Sequence, residues 1–247
     1  MDHTLWRVLR EDAADVKAAI VWRYLMLLVI DTSTERIGMA LFDGEQVISE
    51  ETWKSHNHHT VELVPAIELL LKRSAVAYED LTALGVALGP GSFTSLRIGL
   101  AVLKGLSLVL KLPVAGIPSL DILAAGQAPL DIPLLAVLHA GRGRLAYSRY
   151  LYQDNAWCKQ EEAQGIEVLE LAQQIDSPIY ICGELTPQEK QILGRKWKSV
   201  QIASSANCLR RPAVLAELAW CKLEAGKADD IVSLAPIYLH TINTVQT

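Results

Sequence analysis

The stretch of this chain best suited to hold an anion is Leu88-Gly89-Pro90-Gly91-Ser92-Phe93-Thr94-Ser95-Leu96-Arg97-Ile98-Gly99. It follows an apolar run, 84–88, that reads as a buried strand, and it precedes a helical pattern over 96–110. A glycine turn between a strand and a helix leaves backbone N–H groups unpaired, and the helix dipole adds positive potential there. Gly89 and Gly91 permit close backbone approach, Pro90 stiffens the turn, and Ser92 or Thr94 can cap the helix. No Lys-Ser/Thr pair follows the glycines, so this is not a Walker loop, and it is not a dinucleotide fingerprint. The competing reading is a tight capped turn that only packs a helix on a sheet.

The other reactive residue types are less organised. Asp31, in the polar turn Asp31-Thr32-Ser33-Thr34-Glu35-Arg36, suits turn capping better than catalysis. His56, His58 and His59 precede a helix with no second cluster at ligand spacing, which favours a solvated helix entry over a metal site. Ser92 lacks the Gly-x-Ser-x-Gly elbow of a nucleophile. Cys158, Cys182, Cys208 and Cys221 form no Cys-x-x-Cys pair and fit reduced thiols. From the residues alone, no catalytic group and no metal site is assigned.

The elements that must position these residues are well marked. With 51% hydrophobic and 21% charged residues in 247, the chain can build a full core. A net charge of -5 excludes a uniformly basic nucleic-acid footprint. That argues against this chain gripping RNA alone, though not against work in an RNA-modifying complex. No apolar run reads as long enough to span a bilayer, and no secretory layout is seen, because Arg7, Arg10, Glu11, Asp12, Asp15 and Lys17 interrupt the start. A cytoplasmic protein without a membrane partner is expected.

Strands are predicted over 26–30, 37–42 and 46–52, with Asp43-Gly44 as the hairpin turn. A helix follows over 60–73, then the strand 84–88, the glycine turn and the helix to Leu110. Strands over 134–138, 145–152 and 157–161, a helix over 168–175 and a strand over 179–182 repeat that order. A helix over 187–194, a short strand over 200–203 and a helix over 211–225 complete it. Gly126, Pro129 and Pro133 place a linker near 125–132. Residues 26–130 and 131–247 are the two expected subdomains, with the last helix able to pack back on the first. In 1–25, Leu5, Leu9, Ala13, Val16, Ile20 and Tyr24 recur at helical spacing. That extension is either an amphipathic helix or the product of an upstream start codon before Met26.

Two β-β-β-α-β-α units in series resemble the duplicated ribonuclease-H-like fold of actin, sugar kinases and Hsp70. Nucleotide-binding members of that group carry an Asp and a Gly in the turn after the first strand of each half. Here the first turn keeps Asp31 but has Thr32-Ser33 for the glycine, and the second has His139-Ala140-Gly141. Losing a carboxylate weakens a Mg²⁺ site, so Asp31 reads as a vestige of a nucleotide-site turn. An actin-like ATPase or sugar-kinase relative remains the alternative, and a metallopeptidase is a third.

The helices 60–73 and 92–110 are apolar over more than one face. One face should pack on the sheet and the other on a partner. The expected interface comprises Val61, Val64, Ile67 and Leu71 on the first, and Ser95, Gly99, Val102, Leu103 and Leu106 on the second. The same patch is suited to pairing two copies as a homodimer.

The chain from Met26 to His240 resembles the bacterial TsaB (YeaZ) family of tRNA threonylcarbamoyladenosine biosynthesis proteins. The resemblance rests on Ile30-Asp31-Thr32-Ser33-Thr34, on His59-Thr60 with Leu63-Val64-Pro65, on the glycine segment Gly89 to Gly99, and on Leu234-Ala235-Pro236-Ile237-Tyr238-Leu239. It implies a non-catalytic scaffold that binds the related enzyme TsaD, joined by the ATPase TsaE. TsaD carries a metal on two histidines spaced four apart; the matching segment here, Gly116-Ile117-Pro118-Ser119-Leu120-Asp121-Ile122-Leu123, has none. ATP and metal then belong to the partner subunits, and tRNA is reached indirectly. The resemblance also implies that the two helices meet TsaD in a helix bundle. The chain departs from the family at His139-Ala140-Gly141-Arg142, where Asp-Ala-Arg-Arg is common, and in its leading segment.

Overall fold

Residues 26–55, 58–141, 143–195 and 199–239 are described by the structure, a computed structural model. The expectations for 1–25 and for His56 lie outside them. Strands β1 (Leu27–Asp31), β2 (Arg36–Phe42) and β3 (Val47–Lys54) form an antiparallel meander. The β2–β3 turn of that meander is fixed by Asp43, whose carboxylate accepts from the amides of Glu45 and Gln46, and by Gly44 at φ 96°. Helix α1 (His59–Arg73) leads to β4 (Ala83–Ala87), helix α2 (Phe93–Leu110) to β5 (Val114–Ile117), and helix α3 (Ser119–Ala125) crosses to the second half.

The second half repeats the plan. It runs β6 (Leu134–His139), β7 (Leu145–Gln153), β8 (Ala156–Lys159), β9 (Gln164–Ile166), α4 (Val168–Gln174), β10 (Ile179–Gly183), α5 (Pro187–Gly194), β11 (Val200–Ile202) and α6 (Pro212–Glu224). The first sheet has the order β3-β2-β1-β4-β5 and the second, read the same way, β8-β7-β6-β10-β11. In both, the central strand is antiparallel to its meander neighbour and parallel to the strand on its other side. Strands β5 and β9 and helix α3 go beyond the sequence reading. β9 pairs with Leu145–Tyr147 of β7 and continues the edge that β8 leaves.

β1 is apolar from Leu27 to Ile30 because both of its faces are covered. Leu28 and Ile30 meet Leu63, Ile67 and Leu70 of α1 and Leu100 and Leu103 of α2. Leu27 and Val29 meet Leu215, Leu218 and Ala219 of α6 on the opposite side. α3 lies on the second sheet against Leu134, Leu138 and Tyr150, and touches α6. α4 and α5 cover that sheet's outer face through Leu171 and Leu193. The last helix of the chain is therefore part of the first sheet's core. One correction concerns membranes: α2 is long and apolar enough, by length and composition, to cross one. A buried share of 33%, including Leu96, Leu100 and Leu103, packs on the first sheet.

Candidate functional site

The two sheets face each other across a cleft of about 1430 Å³, bordered by the β1–β2 turn, the glycine turn, the β6–β7 turn and the end of β10. Behind the lining residues Thr34 and Glu184 lies its floor, where Asp31 is buried. One carboxylate oxygen accepts from the Ser33 amide at 2.8 Å and the other from Arg210 Nε at 2.7 Å. Arg210 also donates to Glu184 at 2.6 Å and to Thr34 Oγ1 at 2.9 Å, and Thr34 in turn donates to Glu184. Arg210 is 4% exposed and Asp31 3%. Burial alone would lower the Arg210 pKa, but Asp31 and Glu184 outweigh it and hold the guanidinium above its usual range. A fixed cation thus stands against the carboxylate that would hold Mg²⁺ in a nucleotide-binding relative, and both Asp31 oxygens are engaged. The donor set does not fit a divalent ion.

The glycine turn is stitched into the same floor. Gly89 donates to Ser119 Oγ at 3.0 Å and accepts from the Ser119 amide at 2.7 Å, while the Ser92 amide donates to Ser33 O at 2.7 Å. Ser33 and Ser119 share a hydroxyl contact. This narrows the expectation of open amides, because the Gly89 and Ser92 N–H groups are already committed within the protein. Ser92, rather than Thr94, caps α2, accepting from the Ser95 amide. A Cβ on Gly91 would stand 2.0 Å from Ser33 O. Gly91→Ala should therefore push the two turns apart and lower stability by about 1–3 kcal/mol. A urea midpoint equal to the parent's would show that the turns yield without cost.

Among the described residues, no group of three or more His, Cys, Asp and Glu is placed to hold a metal ion. His58 lies beside Glu62, and His59 is buried with its ring nitrogen against Thr34 O at 3.0 Å, so the histidines hold the entry of α1.

The helix pair divides differently from the sequence expectation. Ile67, Leu71 and Leu103 are core residues, at most 3% exposed. Ser95 and Gly99 are also buried, against Thr32: its hydroxyl donates to Ser95 O at 2.8 Å, and a Cβ on Gly99 would lie 2.2 Å from it. Leu71, Leu103, Ser95 and Gly99 belong to the sheet-facing side of α1 and α2 and are not a docking surface, while Ile67, though buried, lines the bottom of the groove between the two helices. Val61 and Val64 are exposed, and Val102 and Leu106 are partly buried at the edge of an apolar groove of about 540 Å³ between the helices. Gly105 lies in that groove with open space above it, and Val109 beside it is 81% exposed. Gly105 and Val109 belong to the small and apolar pattern read for α2 from the sequence, and the groove brings them together. Sequence reasoning missed Arg210, which carries no local signal.

The fold and this floor define a duplicated actin-like protein whose first-turn aspartate is neutralised by its own arginine. The family described as "TsaD: tRNA N6-adenosine threonylcarbamoyltransferase" matches residues 46–207. A "tRNA threonylcarbamoyladenosine biosynthesis protein TsaB" of Bacillus subtilis is 32% identical over 222 residues, 87% of this chain and 94% of the relative. One of the same description from Haemophilus influenzae is 26% identical over 226 residues, covering 87% and 93%. The solved structure "YeaZ from Pseudomonas aeruginosa" superposes with a TM-score of 0.70 at 24% identity, over 87% of this chain and all of that one. The chain belongs to the TsaB family.

Proposed function

We propose that this chain is a non-catalytic scaffold that binds a TsaD-type protein, with a TsaE-type ATPase, in the cytoplasm. In this reading it is required for N6-threonylcarbamoylation of the adenosine next to the anticodon in tRNAs reading codons that start with A. The observation that carries the reading is the apolar groove between α1 and α2, where Val64, Val102, Leu106 and Val109 surround Gly105. A partner helix can approach closely over a glycine and bury those side chains. Asp31, bound to Arg210 and Ser33, supports leaving ATP and metal to the partner subunits and speaks against an ATPase reading.

An omission experiment tests this. A TsaD-type protein, a TsaE-type protein, an adenylate-forming TsaC-type enzyme, ATP, threonine, bicarbonate and unmodified tRNA are combined with and without this chain. Mass spectrometry of the nucleosides should show threonylcarbamoyladenosine only when the chain is present. Equal modification without it would end the scaffold reading.

A further inference from the structure

The cleft between the sheets is spent neither on the helix groove nor on the Arg210 cluster. It is larger than the roughly 300–1,000 Å³ of an ordinary small-molecule pocket. Both of its walls carry cations. Arg36 and Lys54, cross-strand partners at the ends of β2 and β3, stand on the first; Arg144 and Lys190 stand on the second. Arg144 gives one nitrogen to Gly165 O at 3.0 Å and leaves its buried Nε without a partner. Among the described residues, Arg36 and Lys190 make no ion pair. Of the acidic residues lining the cleft, Glu35 is bridged to Lys54 and Glu184 is held by Arg210.

Beside these cations lies an aromatic platform. Phe93, 51% exposed at the start of α2, stacks on Tyr238 at 4.9 Å. Arg97 lies 3.7 Å from the Phe93 ring centre and donates to the Tyr238 hydroxyl at 3.0 Å. Phe93 and Tyr238 both line the cleft.

We infer that this cleft holds a single-stranded segment of RNA, with its backbone between the two walls and a base on the Phe93–Tyr238 platform. A nucleoside triphosphate concentrates its charge and requires a metal, which the Asp31 floor does not fit. A diester strand spreads single charges, as the four cations are spread. A partly exposed aromatic pair with an arginine against it, beside a cationic groove, suits unpaired bases, which a duplex does not offer. The inference rests on the proposed place in tRNA modification, where the target adenosine lies in a loop. Under it this chain touches tRNA directly, where the resemblance implied indirect contact and the net charge of -5 spoke against gripping RNA alone.

The test measures fluorescence anisotropy of a labelled single-stranded RNA with an anticodon-loop sequence against the full chain over a series of salt concentrations. Three phosphate contacts, from Arg36, Arg144 and Lys190, with Lys54 already bridged to Glu35, should give a slope of log K against log salt of about -2. The double variant Arg36→Gln/Lys190→Gln should cut that slope to about a third, whereas Arg36→Lys/Lys190→Arg should keep it. Phe93→Ala should weaken binding about tenfold with the slope unchanged. No saturable binding at low salt, a slope indifferent to the double variant, or equal binding of duplex RNA would overturn the inference. Val64→Glu should leave RNA binding intact; its loss there would move the site to the helix pair and overturn it too. Failure of the omission experiment with these RNA results standing would defeat the scaffold reading alone.

Discussion

Replacing Arg210 by methionine should lower the stability of this protein by about 3–5 kcal/mol, a large part of the roughly 5–15 kcal/mol that holds a domain folded. The reason is asymmetry. Arg210 lies among two carboxylates, and the Asp31 side chain is only 4% exposed against 20% for Glu184. Without the guanidinium, Glu184 can turn toward water, but Asp31 remains as an uncompensated charge at the end of β1. A buried ion pair contributes little over a well-packed neutral set, whereas breaking one leaves the full desolvation cost. The triple variant Asp31→Asn/Glu184→Gln/Arg210→Met should therefore recover most of the loss. Urea denaturation of the three proteins decides the matter. A single variant that unfolds at the parent's midpoint would mean that water already reaches Asp31.

On the helix pair, stability and partner binding should move separately. Leu103→Glu should unfold the chain, since Leu103 is 0% exposed and sits between α2 and the first sheet. Val64→Glu, at a position 48% exposed, should leave the fold intact and weaken association with a TsaD-type partner by about 2 kcal/mol or more, roughly thirtyfold. Gly105→Leu should go further. Its Cβ meets nothing within 4 Å, and exchanging a helix-interior glycine favours the helix by about 0.5–1 kcal/mol. The monomer should melt higher while the filled groove excludes the partner. Circular dichroism melts together with titration calorimetry read the two effects. Parent-like affinity in both Val64→Glu and Gly105→Leu would remove the groove from the interface.

The elements were legible where the hydrophobic period was unbroken. β1, β2, α1, β4 and α2 stand close to their predicted places because each run is long or bounded by a turn signal. β5 was not, being four residues between two prolines, and neither was α3, whose seven residues are six-sevenths buried and so show no polar face. The helix faces failed for a related reason. Periodicity shows that Ile67 and Val64 are both apolar, but only the position of the sheet shows that one is covered and the other bare. Arg210 lay beyond any local reading. It meets Asp31 across 179 positions, and an arginine ahead of a proline-started helix looks like any surface residue.

The place of α6 bears on how the molecule is made. The strands of the first sheet leave the ribosome early, yet the helix that covers Leu27, Val29, Ala40 and Phe42 lies more than 160 residues further along the chain. Until that segment has been synthesised, this sheet keeps one oily face uncovered. A nascent chain stalled before Pro212 is thus a natural client for a chaperone, and the half translated first is the half completed last.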